Sequence, residues 1–210
     1  MSEKQQPLED LQHIKRMMER SSRFISLSGL SGIAAGICAL TGAWFAYQKI
    51  NVSRTNDHDY LQTISADVQL MIALLWIAVL TFAAAFISAF IFTYLRSKRN
   101  GIAIWGAATM RLFWNTAIPV AVGGVFILRM MHFGEYELVA PACLVFYGLA
   151  LVNGSKYTLG EIRFLGYAML VLGIINLWYV GEGLYFWAIG FGILHIVYGA
   201  VMWYKHEREN

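Results

Sequence analysis

Six stretches of this chain contain no Asp, Glu, Lys or Arg: Phe24–Tyr47, Val68–Leu95, Leu112–Leu128, Leu138–Asn153, Phe164–Gly181 and Gly183–Tyr204. Roughly 17–25 mostly apolar residues carry a helix across the hydrocarbon core at 1.5 Å rise per residue. Five of the six meet that length unaided. The fourth is marginal and needs Glu135–Glu137 or the following loop to reach both interfaces. Charged residues make up 14% of the chain, where a soluble domain carries about 25%. Water is therefore not the main solvent.

The connections between these stretches alternate in charge. One side holds Lys4, Lys15, Arg16, Arg20, Arg23, Arg96, Lys98, Arg99, Arg111, Lys156, Arg163, Lys205 and Arg208. The other holds only Lys49, Arg54 and Arg129, together with Asp57, Asp59, Asp67, Glu135, Glu137 and Glu182. Lys and Arg stay on the cytoplasmic side of membrane helices. The expected fold is thus an all-α, polytopic transmembrane bundle of six spans in three hairpins, with both termini in the cytoplasm. Spans are expected at about 24–47, 68–95, 110–130, 136–153, 161–180 and 184–204, within a membrane domain covering 23–210. The formal charge of +3 averages two unlike faces, so it gives no reason to expect nucleic acid as a partner. The expected surroundings are the lipid bilayer, with a homo-oligomer or another membrane protein as candidate partner.

Residues 1–22 read as a cytoplasmic amphipathic arm. Pro7 suits a first helical position, and Glu9 and Asp10 follow where a helix amino terminus favours negative charge. Leu8, Leu11, Ile14 and Met18 then share one face. The acidic residues of this arm do not fit a cleavable signal peptide. The first span is expected to act as the insertion signal.

Local motifs refine the spans. Gly32 and Gly36 form a GxxxG pair within a stripe of small residues, suited to close helix packing, inside the chain or across a homodimer. Residues 48–66 are expected to form the longest external connection. His58 there, between Asp57 and Asp59, is a loose cluster on a polar loop and falls short of a metal site. Asn100-Gly101 reads as a helix stop before a third helix starting near Ile102. Arg111 would then lie a few turns in, with Asn115 and Thr116 one turn deeper, and Pro119 should kink or open the helix. Asn153-Gly154 reads as another stop. Thr158 and Glu161 have capping-box spacing, so Thr158 should begin the fifth helix.

A resemblance accompanies these signals. Ala140-Pro141-Ala142, Tyr147-Gly148-Leu149-Ala150-Leu151-Val152-Asn153, Ser155-Lys156-Tyr157-Thr158 and Ile162-Arg163-Phe164-Leu165-Gly166 resemble an uncharacterised group of small six-span integral membrane proteins from Bacteroidota. The final span, with Phe186-Trp187-Ala188-Ile189-Gly190-Phe191-Gly192 and His195-Ile196-Val197-Tyr198-Gly199, adds to the likeness. The resemblance implies a multi-pass protein of the bacterial inner membrane and transfers no activity.

Two polar groups are candidates for chemistry. The first is a membrane site: His195, deep in the sixth span, Tyr198 one turn on, Tyr147 and Thr81 near the same level, and Asn176 somewhat nearer the outside. Ionisable groups inside membranes are costly and face a partner or a cavity. Such a patch could bind a small solute or relay a proton. The simpler reading is a neutral histidine bonded to one neighbouring helix. The second candidate is a cytoplasmic-side cluster of Arg111, Asn115, Asn153, Lys156, Glu161 and Arg163. No cofactor is expected. A bis-histidine haem lacks a second intramembrane histidine, and a retinal Schiff base lacks an intramembrane lysine. No serine, histidine and carboxylate share a depth. The reading is an integral membrane protein that is not an enzyme and acts through protein or lipid contacts. The alternative is a small carrier or channel centred on His195.

Overall fold

The computed structural model describes residues 28–55, 60–99, 101 and 105–206, with backbone alone at 54–55, 60–67 and 206. The amphipathic arm and the Asp57-His58-Asp59 cluster lie outside the described residues, as do Asn100 and Ile102. Within them the chain is all helix, with no strand. We number the helices α1 (Gly29–Thr55), α2 (Tyr60–Arg99), α3 (Ala107–His132), α4 (Val139–Gly154), α5 (Ile162–Asn176), α6 (Gly183–Trp187) and α7 (His195–His206). A π-helical segment, Ala188–Leu194, joins α6 to α7, and 3₁₀ turns at Tyr136–Leu138 and Ser155–Tyr157 flank α4.

Five helical segments are long and apolar enough to cross a membrane: Gly29–Ser53, Val68–Arg99, Ala107–His132, Tyr136–Tyr157 and Gly183–Lys205. The fourth reaches this length only through its flanks, as the sequence suggested, and the shortest expected span is the fifth. Flanking 3₁₀ turns extend the fourth to 22 residues, whereas α5 stops after 15. Beyond Asn176 the ladder tightens to three-residue bonds, from the N–H of Leu177, Trp178 and Tyr179 to the carbonyls of Ile174, Ile175 and Asn176. Other boundaries also differ from expectation. The expected external loop at 48–66 is largely helical, because α1 continues to Thr55 and α2 resumes at Tyr60. The third helix begins at Ala107, so Arg111 lies in its second turn rather than several turns in.

The helices pack as two groups joined through the final one. α1 lies against α2 on one flank and against the π segment and α7 on the other. α4 packs on α3, α5 and α6. Glycine sets both close crossings. A Cβ on Gly32 would come within 3.1 Å of the Gly199 Cα, so the GxxxG face is taken up by α7. Between α4 and α5, a Cβ on either Gly148 or Gly166 would come within 2.9 Å of the other's carbonyl oxygen. Backbones approach this closely only where side chains are absent.

The core lies where α4, α5 and the final helix meet. Leu144, Leu165 and Met169 are buried there, with Tyr147, Leu172, Phe186, Phe191, Leu194 and Tyr198 packed around them. Large apolar side chains also cover the outside, with Leu80, Phe82 and Phe86 on α2 at 63, 67 and 62% exposure. Continuous apolar surface of this kind suits a lipid surround rather than water. Long apolar helices with outward apolar faces are the mark of a membrane protein.

Candidate functional site

His195 opens α7 immediately after the π segment and is buried, with 7% exposure. In a π turn each N–H donates five residues back instead of four, and the segment Ala188–Leu194 ends where His195 begins α7. The Gly190 carbonyl, five residues before His195, receives the His195 Nδ1 at 2.9 Å. A carbonyl oxygen only accepts, so Nδ1 carries the ring proton and Nε2 is left as the acceptor. The Tyr147 hydroxyl donates to that Nε2 across 3.0 Å. Both ring nitrogens of a neutral imidazole are thereby used. Phe191 stacks on the imidazole with centroids 6.0 Å apart and an interplanar angle of 14°, and its centroid lies 5.1 Å from that of Tyr147.

Of the five residues expected at a membrane site, only Tyr147 and His195 are bonded to each other. Tyr198 packs into the same core, and its buried hydroxyl has no hydrogen-bond partner among the described residues. Asn176 lies apart from the pair. Its Nδ2 donates to the Tyr179 carbonyl at 3.2 Å, and its buried Oδ1 has no partner among the described residues. Thr81 is on α2, against Gly42 of α1. The concavities of the surface lie elsewhere. One is lined by Tyr167, Ala168, Val171, Leu172, Ile175, Ile189 and Leu194, the other by Ile175, Trp178 and Tyr179.

The second candidate group divides in two. Pro119 has no N–H, so the carbonyl four residues earlier, that of Asn115, loses its helical donor. The helix nevertheless continues through that turn. Asn153 of α4 supplies the replacement, its Nδ2 donating to the Asn115 carbonyl at 2.9 Å and to Asn115 Oδ1 at 3.2 Å. Asn115 Nδ2 in turn donates to the Arg111 carbonyl at 2.8 Å, and Lys156 Nζ reaches Asn153 Oδ1 at 3.5 Å. Arg111, Asn115, Asn153 and Lys156 thus form one connected group between α3 and the end of α4.

Glu161 and Arg163 stand outside that group. The Glu161 carboxylate accepts from Lys205 Nζ at 2.6 Å, tying the start of α5 to the end of α7. Helix α5 begins at Ile162 with Glu161 as its N-cap residue, not at Thr158 as the capping-box spacing suggested. The Arg163 guanidinium carbon sits 5.7 Å from the centroid of the Phe164 ring.

The π segment and the Lys205–Glu161 pair carried no readable sequence signal, and of the Tyr147–His195 bond only the common depth could be read. The π segment lies in a run of apolar residues and glycine. The Tyr147–His195 bond and the Lys205–Glu161 pair join residues 48 and 44 positions apart. The Asn153–Asn115 contact left a partial trace, since Pro119 marks which carbonyl must look elsewhere for a donor. Among the described residues no three His, Cys, Asp or Glu side chains converge as a metal set would. No protein-family model, curated protein or solved structure matches the chain.

Proposed function

We propose that this chain is an integral protein of a bacterial inner membrane that crosses the bilayer six times with both termini in the cytoplasm. It acts through contacts with protein or lipid partners rather than by catalysis. The observation that supports this most is the use made of two polar side chains between the helices, one buried and one half-buried. His195 and Asn153 each donate to a main-chain carbonyl where a helix is interrupted, by the π segment and by Pro119 respectively. In hydrocarbon a backbone carbonyl without a donor is expensive, because no water replaces the lost partner. Asn153 is committed to that repair and His195 to bonds inside the core, so both are occupied by structure. The 13-to-3 distribution of Lys and Arg supports the orientation, and the likeness to Bacteroidota membrane proteins supports the location.

A second reading, a carrier or channel for a small solute or proton, draws on a different observation. The Tyr198 hydroxyl and Asn176 Oδ1 are buried polar atoms without a partner among the described residues, and interrupted helices accompany transport sites. Replacing His195 by Gln and by Ala, with folded yield and host phenotype measured together, separates the two. On the structural reading yield and phenotype fall together, and Gln, which keeps a donor and an acceptor, loses less than Ala. Full yield with a lost phenotype would overturn that reading in favour of transport.

A further inference from the structure

Four cations lie where α3 begins, α4 ends, α5 begins and α7 ends, and their surroundings differ. Lys205 is paired with Glu161 at 2.6 Å, and Arg163 lies beside the Phe164 ring. Arg111 and Lys156 are exposed, and neither meets a carboxylate within ion-pair distance among the described residues. Both are held at one corner. Gly154, two residues before Lys156, fits so closely against α3 that a Cβ there would lie 3.2 Å from Leu112 Cδ1, on the neighbour of Arg111. Lys156 reaches Asn153, and Asn153 is bonded to Asn115, whose own amide returns to the Arg111 carbonyl. Arg111 and Lys156 therefore flank a hydrogen-bonded seam between two helices, Arg111 joined through its main-chain carbonyl and Lys156 through its ammonium.

On the six-span orientation proposed above, on which this inference rests, that corner lies at the cytoplasmic headgroup level. The geometry points to a binding site for the phosphodiester headgroup of an anionic phospholipid, held between Arg111 and Lys156. Arg offers a planar fork that matches two phosphate oxygens, and Lys adds a compact point charge. Two cations with no acid beside them among the described residues favour a headgroup of net negative charge over a zwitterionic one. Lipid-tail contacts are already available on α3, where Phe113, Trp114 and Ile118 are exposed.

The test uses the full chain in nanodiscs of equimolar phosphatidylglycerol and phosphatidylethanolamine, followed by native mass spectrometry of the lipids retained. The expected result is a phosphatidylglycerol preference on the order of tenfold, the scale that two interfacial cations supply after allowance for their exposure. The double variant Arg111→Gln/Lys156→Gln should fall to near parity. Arg111→Lys/Lys156→Arg should keep the preference, and Lys205→Gln should leave it unchanged. Parity in the natural chain would overturn the inference, as would an unchanged preference in the double Gln variant. A chain that is not retained in nanodiscs at all would instead overturn the membrane reading beneath it. If the double Gln variant fails to fold, loss of the preference at high salt in the natural chain decides the matter, because a phosphodiester held by two exposed cations is screened.

Discussion

The side-chain amide of Asn153 donates at 2.9 Å to the main-chain carbonyl of Asn115, the group that Pro119 deprives of its helical donor. A proline-containing helix stays continuous here because its neighbour fills the gap. A second bond ties α4 to the final helix. Tyr147 of α4 bonds His195, and His195 bonds the Gly190 carbonyl within the π segment. One short central helix thus anchors two interrupted ones.

The first consequence is a coupling between Asn153 and Pro119. Asn153→Ala should destabilise the fold by about 1–2 kcal/mol, the range for a lost hydrogen bond that leaves a half-buried carbonyl unsatisfied. In a Pro119→Ala background the helix regains its N–H, and the same substitution should cost about half as much or less. A double-mutant cycle read by thermal unfolding in detergent checks this. Equal costs in both backgrounds would mean that Asn153 does not serve the orphaned carbonyl.

Tyr147→Phe should leave His195 Nε2 without its donor inside an apolar core. The expected loss is about 1 kcal/mol, with the bundle still folded. In a His195→Ala background the hydroxyl has no acceptor to lose, so Tyr147→Phe should be close to neutral. Thermal melts of the four chains decide whether the bond contributes as the geometry requires.

Gly199→Leu should be the most damaging of the single changes considered. A Cβ there would meet the Gly29 carbonyl oxygen at 2.6 Å and the Ile33 amide nitrogen at 2.6 Å, and backbone atoms cannot rotate away. The penalty should exceed the roughly 1–3 kcal/mol typical of overpacking, and folded yield on size-exclusion chromatography should collapse. Gly160→Leu is the control, since nothing lies within 4 Å of a Cβ at that position.

The Lys205–Glu161 pair should matter far less. Its side chains are 57 and 28% exposed, and solvent and salt screen such a pair to at most about 1 kcal/mol. Glu161→Gln should lower the melting temperature only slightly, and raising the salt concentration should erase the difference.

How far the sequence anticipated this arrangement depends on the range of each interaction. Charge-free runs and Lys/Arg asymmetry are properties of single segments, so the helices could be read directly, as could the close packing of Gly32 and Gly36. The length of α5 was overestimated because apolar composition continues through Leu177 and Trp178, while the ladder has already tightened after Asn176. The capping signal at Thr158 gave too early a start for α5, whose first helical residue is Ile162. At the candidate site, depth alone placed Tyr147 level with His195, and the two are bonded. Depth could not separate Thr81, which lies on a different helix pair, nor give Asn176 its Tyr179 carbonyl partner. Which neighbour a buried polar group faces is set by helix rotation, and rotation is fixed by packing between distant segments.

The central claim is that the chain crosses the membrane six times, and α5, at 15 residues, is the crossing that decides it. Its length is about 22 Å at 1.5 Å per residue, short of the roughly 30 Å hydrocarbon core. The most direct measurement places single cysteines at Gly160 and Glu182, on either side of α5, in a chain with Cys38 and Cys143 replaced by Ala. Labelling intact cells with a membrane-impermeant thiol reagent should mark Glu182→Cys at once and Gly160→Cys only after permeabilisation. Labelling of both from the same side would contradict the account.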